Sequence, residues 1–453
     1  MALIAIAFYI TWKIYYHEEE KKDAIGRIRE RGYLLALTDR NSLNYFLYRG
    51  APVGFQLDLL NSFADYLGVP LKIIASEDIS KLYYYLDYNV GDVIALNLPV
   101  SSEGRRLVHY TNILGETRLI LLQRKDHTPK FIKSLDDFVK EDTVHARKNK
   151  FMSPYYRSFL KLTARRVTLI EDPEISQEGL IRKVAEGSIP YLLCPENTAR
   201  VYKQYYQNLD ASVVVFPLYA FAWGVNHNSD TLLMKLDDWL NKLKESGELK
   251  KTYLGYFANQ KFVTNMRSDY VSLRGDKISP YDKEIRELSR KIWWDWRLLA
   301  SLVYEESNFR VGQVSSRNAS GLMQLMPETA MKMGMDSIST PIQQLNAGVR
   351  YIQHLDEQLP EEITNPIDRI KFILAAYNVG IGRVLLAREK AGKYGKDPNR
   401  WDANVAYYLL RRSKIDPYSK NDTLFGSSSD YAVEGFVDDI ITRYYHYRNN
   451  IPQ

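Results

Sequence analysis

The sequence is poor in the residues that build disulfides and metal sites. Of its 453 residues one is cysteine, Cys194, so no disulfide forms within the chain. That single thiol does not fix the compartment, because many exported bacterial proteins lack disulfides too. The seven histidines, His17, His109, His127, His145, His227, His354 and His446, never fall at the short spacings of a zinc site. No metal or cofactor is therefore expected. No long basic block interleaved with aromatics occurs, which argues against nucleic acid as a partner. Charge of one sign is also scarce in net terms: 61 basic residues face 55 acidic ones, giving +6. Such a mixed surface adds at most a weak attraction to a polyanionic wall or an anionic membrane.

A long apolar run is missing as well. Residues Ala2 to Trp12 carry no charge, and Ile14 to Tyr16 extend the run past Lys13. This is shorter than the roughly 20 residues of a spanning helix. It has no basic leader and no small-residue cleavage site. The reading adopted for 1–24 is a membrane anchor or signal-like segment; the alternative is an apolar N-terminal helix.

What is present divides into three textures. Residues 25–257 alternate short apolar runs with amphipathic stretches. The runs include YLLALT (33–38), LKIIAS (71–76), DVIALNL (92–98), RLILLQR (118–124) and SVVVFPL (212–218). Between two of them lies FQLDLLNSFADYLG, whose Gly68 suits a helix C-cap. Strands alternating with helices predict an α/β domain with a largely parallel sheet. A polar stretch, 258–280, reads as a linker. From 281 to 453 the pattern is helical throughout.

One helical segment carries a chemical signal. In WRLLASLVYEESNF, Leu298, Leu299, Leu302 and Val303 form one stripe at about 100° per residue. Glu306 falls near the centre of that stripe and Glu305 near its edge. An ionised carboxylate on a buried face is costly. Desolvation raises its pKa, as a general acid near neutral pH requires. Taken alone, the same pattern also fits a buried glutamate paired with an arginine.

The surrounding residues decide between the two. Glu306-Ser307 is followed by Gly321-Leu322-Met323-Gln324 and then by Ala376-Tyr377-Asn378. In order and spacing these resemble the ES, GLMQ and AYN motifs of the family-1 lytic transglycosylases, across roughly 281–453. The resemblance implies an all-α, goose-lysozyme-like domain acting on peptidoglycan glycan strands. It also implies roles. Glu306 would be the single catalytic acid and base. Ser307 would hold substrate or the acid's neighbour. Gly321 would let the chain approach a sugar closely, and Met323 and Gln324 would line the groove. Tyr377 and Asn378 would orient the acid and contact sugar. Where that family usually has a tyrosine near the C-terminus, this chain has Phe436, taken as a groove residue; Tyr431 is the nearest hydroxyl in sequence. The one-carboxylate count is consistent with a transglycosylation that closes a 1,6-anhydromuramic end on the MurNAc side of the β-1,4 bond. A lysozyme-type muramidase drawing a second acid from Asp402 or Asp439 is the alternative, as is a catalytically weak wall-sensing protein.

The first module, through IRERGYLLALT, GFQLDLLNSFADYLGVPLKI, the stretch ending SSEGR, and GELKKTYLGYF, resembles the family-3 extracellular solute-binding proteins. That implies a two-lobed periplasmic-binding-protein fold, with the second lobe at about 126–215, closing on a small amino-acid or muropeptide-like ligand. In that family an arginine after a Ser/Thr-rich turn clamps the ligand carboxylate; Arg105 is the candidate here. Glu196 is the candidate for the ligand amine. The aromatic cluster at Tyr45, Phe46 and Tyr48 would floor a site or pack. Together the two modules imply an envelope enzyme on the periplasmic face, tethered to a membrane.

Overall fold

The computed structural model describes residues 23–258 and 277–451, apart from 42, 77, 127–129, 165, 337–338 and 411–429; of Leu410 and residues 430–434 only the backbone is described. Residues 1–22 of the proposed anchor at 1–24, and most of the linker at 258–280, thus lie outside the described residues. Among the described residues no helix is long and apolar enough to cross a membrane. The chain divides into two compact units, the first made of Met1–Tyr48 and Pro52–Gly275 and the second of Arg49–Ala51 and Asp276–Gln453.

The first unit begins with helix α1 (Ala24–Arg31) and strand β1 (Leu34–Thr38). After the short pair β2 (Phe46–Tyr48) and β3 (Ala51–Val53) comes α2 (Phe55–Leu67). Its Phe55, Leu59, Leu60 and Phe63 recur at helical spacing and are buried. Gly68 ends it in the left-handed region at φ 69°, its N–H reaching the Ala64 and Asp65 carbonyls, as the sequence predicts. Next come β4 (Leu71–Ala75), α3 (Ile79–Asp87), β5 (Val93–Pro99), β6 (His109–Tyr110) and β7 (Gly115–Arg124). Then follow β8 (Thr143–Arg147), α4 (Ser153–Leu162), β9 (Thr168–Asp172), α5 (Gln177–Glu186), β10 (Tyr191–Pro195) and α6 (Glu196–Tyr205). The unit closes with β11 (Leu209–Val225), α7 (Asp230–Glu245) and α8 (Glu248–Phe257).

The main sheet runs β4-β1-β5-β11-β7-β10-β8-β9, with β6 on β11. It is mixed, which corrects the largely parallel expectation. β1 pairs in parallel with β4 and β5, and β8 with β10 and β9. β11 instead pairs antiparallel with both β5 and β7. The physical reason is connectivity: β7 carries the chain from the first lobe to the second and β11 carries it back. β11 is far longer than the SVVVFPL run, because the chain continues through Trp223 to Val225 in extended form. Pro217, which has no N–H to give, sits at a register shift between Phe216 and Tyr219.

The second unit is helical: α9 (Asp282–Ser289), α10 (Trp296–Ser307), α11 (Pro327–Lys332), α12 (Pro341–Gln358), α13 (Pro366–Val379), α14 (Ile381–Lys393), α15 (Ala406–Leu410) and α16 (Asp430–Asn450). α10 is its central helix. Trp296 through Val303 are all buried, so the apolar stripe of the sequence is in fact a helix covered on nearly every side. Asp295 caps its start by accepting from the Arg297 N–H. Two polar ties fix it against the last helix: Ser301 donates to the Ile440 carbonyl at 2.7 Å, and the buried Arg297 to that of Ile451 at 2.7 Å.

Candidate active site

Glu306 lies in the last turn of α10, just before the helix stops. Asn308 terminates it in the left-handed region at φ 49°, and Phe309 follows at φ 61°. Glu306 is half-buried. Burial, with the Glu305 charge as the smaller cause, pushes its carboxyl up to about 8. Among the described residues no hydrogen bond or ion pair reaches this carboxylate. The Arg-paired alternative belongs to its neighbour instead: Glu305 accepts from Arg443 of α16 at 2.6 Å. That guanidinium lies over the Tyr304 ring, 4.3 Å from its centroid. Sequence reasoning passed over Arg443, which is 138 residues from Glu305 in the chain.

Three polar ties converge on the loop that carries the second motif. The buried Ser307 hydroxyl lies 2.9 Å from the Leu322 carbonyl and 3.1 Å from that of Val303. Gln344 of α12 accepts from the Leu322 N–H at 2.9 Å. Tyr377 of α13 donates to the Met323 carbonyl at 2.6 Å. The loop thus hangs from α10, α12 and α13 by its own backbone, with ends that cannot drift without leaving buried polar groups unpaired. Tyr377 also feels the Glu306 charge, and its ring packs against Tyr351 with centroids 5.1 Å apart.

This geometry revises several individual roles. Ser307 faces the interior, so its hydroxyl anchors the loop rather than a substrate. Gly321 has φ 80°, and a Cβ there would stand 2.6 Å from Gln344 Oε1. Glycine is needed to let Gln344 reach Leu322, a packing reason rather than approach to a sugar. Met323 does not line an open groove: it is 1% exposed, and its side chain fills the space that a Cβ on Gly348 would take. Gln324 is half-buried at φ 43° and donates to the Gln313 and Gly321 carbonyls at 2.9 and 2.8 Å. Asn378 is exposed at the end of α13. Phe436 is buried on α16, and the side chain of Tyr431 lies outside the described residues. Gln344 was missed because nothing local marks it; its function exists only once α12 meets the loop.

The alternative second acids differ. Both oxygens of Asp402 lie 2.6 Å from Lys371 Nζ, so that carboxylate is held as an ion pair. Asp439, one turn before Arg443 on α16, is pushed upward by burial and by the Glu305 charge. Among the described residues, no group of three or more His, Cys, Asp or Glu side chains gathers where a metal could sit.

The first unit has its own cavity, a cleft of about 120 Å³ between its lobes. Its wall includes Asp39, Asn44, Asn97, Arg147, Asn149 and Asn197. Neither of the expected ligand residues lines it. Arg105 is exposed, its guanidinium 5.9 Å from the Tyr110 ring centroid. Glu196 is gripped by Arg118 at 2.7 and 2.5 Å, a bidentate pair that takes both of its oxygens. Besides Glu178 of α5, the charges in the cleft are Asp39, at the end of β1, and Arg147, at the end of β8. Their residue types gave no warning, since both sit in otherwise ordinary strand ends. Tyr45 and Phe46 are core residues.

Comparison with known proteins places both units. The family described as bacterial extracellular solute-binding proteins, family 3, matches residues 36–259. The transglycosylase SLT domain matches residues 284–399. A relative in Stutzerimonas stutzeri (strain A1501), called membrane-bound lytic murein transglycosylase F, is 30% identical over 441 residues, covering 94% of this chain and 86% of the relative. One of the same name in Desulfosudis oleivorans is 26% identical over 451 residues, covering 97% and 95%. Among solved structures, an amino acid ABC transporter substrate-binding protein from Streptococcus pneumoniae, bound to L-arginine, covers 52% of this chain and 98% of its own at 20% identity and TM-score 0.46.

Proposed function

Since the chain belongs to the membrane-bound lytic murein transglycosylase F family, and is a lytic transglycosylase with a solute-binding module, we propose that Glu306 is its sole catalytic acid and base. The observation that carries this reading is a carboxyl pushed up to about 8 that has no hydrogen-bond or ion-pair partner among the described residues. Such a group holds its proton at neutral pH, ready to give it to a bound substrate.

The chemistry then follows from one carboxyl. Protonated Glu306 gives its proton to the glycosidic oxygen leaving C1 of N-acetylmuramic acid, and the C1–O bond breaks. The substrate's acetamido group stabilises the positive charge that develops. Glu306, now a carboxylate, takes the proton of the sugar's own C6 hydroxyl. That oxygen bonds to C1 and forms the 1,6-anhydro ring, so no water is consumed. Ordinary glycosidases divide these tasks between two carboxylates. Here the nearest second carboxylate, Glu305, is held by Arg443. Ser307, Gln344 and Tyr377 position the 321–324 loop, Gln324 and Asn378 face the substrate, and Phe436 closes the apolar side.

The reading extends to the first unit, whose cleft would take a small amino-acid or muropeptide-like solute, and to the cell: a membrane-tethered enzyme on the periplasmic face, acting on the wall. Mass spectrometry of peptidoglycan digested by the full chain tests the reaction. Anhydromuramic ends support it. Reducing ends would instead point to hydrolysis with a second acid, for which Asp439 is the candidate.

A further inference from the structure

The cleft of the first unit is bridged by one short stretch of chain. Asp39 sits on the first lobe and is 5% exposed. It accepts from Asn41 and Asn44 at 2.7 Å each. A third donor comes from the other lobe: Arg147 Nη1, 3.2 Å from Asp39 Oδ2. Arg147 is itself 9% exposed, so the pair is largely out of water.

Four residues further on, Phe151 crosses the same gap. It belongs in sequence to the second lobe, between β8 and α4. Its ring is nevertheless 1% exposed within a cluster built from the first lobe: Leu37, Leu82, Leu86, Ile94, Leu96 and Leu98 are among its members. Three weaker contacts flank it. Lys150 Nζ stands 5.5 Å from the Tyr83 ring centroid, Tyr155 donates to the Val100 carbonyl at 3.0 Å, and Arg157 pairs with Glu103 at 2.6 Å. All five contacts arise from residues 147–157.

We propose that the Arg147–Arg157 segment is a built-in latch, in which Arg147 fills the Asp39 carboxylate seat and Phe151 plugs the first lobe's core, so that the chain's own side chains hold the cleft shut. A solute then competes with Arg147 for Asp39, and the cleft's apparent affinity falls by the fraction of time the latch is open. The two components differ in kind. The ion pair is reversible by any competing charge. Withdrawing Phe151 exposes a large ring and leaves a void, which makes closure the preferred state. The inference rests on the two-lobed fold of the first unit and is independent of the catalytic reading.

Electron-spin distance measurement on the full chain tests it. Cys194 is buried with its thiol pushed up to about 12, so labels go to introduced cysteines. The exposed Lys81 of α3 and Lys161 of α4 provide one site on each lobe, as K81C and K161C. With no solute added, the latch predicts one narrow interlobe distance. F151A should shift it to a longer and broader distribution, as should the paired change D39N with R147Q. F151A removes core packing, so cooperative unfolding by circular dichroism is checked first. If F151A fails that check, the paired polar variant, which leaves the cluster intact, decides alone. A long, broad distance in the parent, or a distance unmoved in folded variants, overturns the proposal.

Discussion

The Tyr377 hydroxyl donates a 2.6 Å hydrogen bond to the Met323 carbonyl. Two motifs that stand 54 residues apart are thereby one structural unit. Ser307 makes the equivalent link from the acid's own helix to Leu322, so the residues flanking Glu306 fix the loop opposite it. Removing either hydroxyl should loosen the loop without touching the acid. Ser307→Ala and Tyr377→Phe should each cost about 1 kcal/mol in denaturant unfolding. Both should also lower kcat on purified peptidoglycan while leaving the pH limits of activity unchanged.

Gly321 should tolerate no side chain. Its φ of 80° and the 2.6 Å approach of Gln344 Oε1 combine backbone strain with a clash. Gly321→Ala is expected to destabilise the second unit by roughly 1–3 kcal/mol. A Gln344→Ala partner change, which removes the clash but not the strain, should recover only part of that loss.

Activity should fall as pH rises through about 8, where Glu306 loses its proton. The neighbouring charge contributes to that value, and removing it should lower the pKa. Glu305→Gln is therefore predicted to move the alkaline limb of the pH–rate profile downward. The other groups facing this region are Tyr377, Arg443 and Asp439. The variant also releases Arg443 from its ion pair and relieves Asp439 of a neighbouring charge, and the freed guanidinium pushes the Glu306 pKa in the same downward direction. An unmoved limb would mean that burial alone sets the acid.

Stability should carry the same signature. The folded-state pKa of Glu306 is raised, so its favourable contribution is complete below the unfolded value near 4.5 and is lost as pH rises through about 8. Glu306→Gln places no charge there at any pH. The variant's advantage over wild type should widen between pH 5 and pH 9, by on the order of 2 kcal/mol after allowance for the group's partial solvent contact.

Much of this architecture was legible in the residues. The runs 33–38, 71–76, 92–98 and 118–124 all became strands, since short apolar stretches between turn residues pair readily in a sheet. Gly68 was readable because a helix stop is a local event. Glu306 stood out because an acid in an apolar stripe is costly and needs a reason. What could not be read depends on partners far away. Met323 is buried because Gly348 leaves it room, and Gly321 is glycine because Gln344 must pass. Arg105 and Glu196 were plausible by position, yet Arg118 takes Glu196 and the cleft draws its charges from Asp39, Arg147 and Glu178. The sheet's mixed direction likewise comes from two crossing strands, which no single strand's pattern reveals.

The most direct test of the central claim is turnover of purified sacculi by Glu306→Gln beside wild type, with folding verified by circular dichroism. A lone acid and base predicts a loss of about a hundredfold or more, with no anhydromuramic product above background. A folded variant that keeps activity within a few fold of wild type would contradict it, and would pass the role of proton donor to another carboxyl.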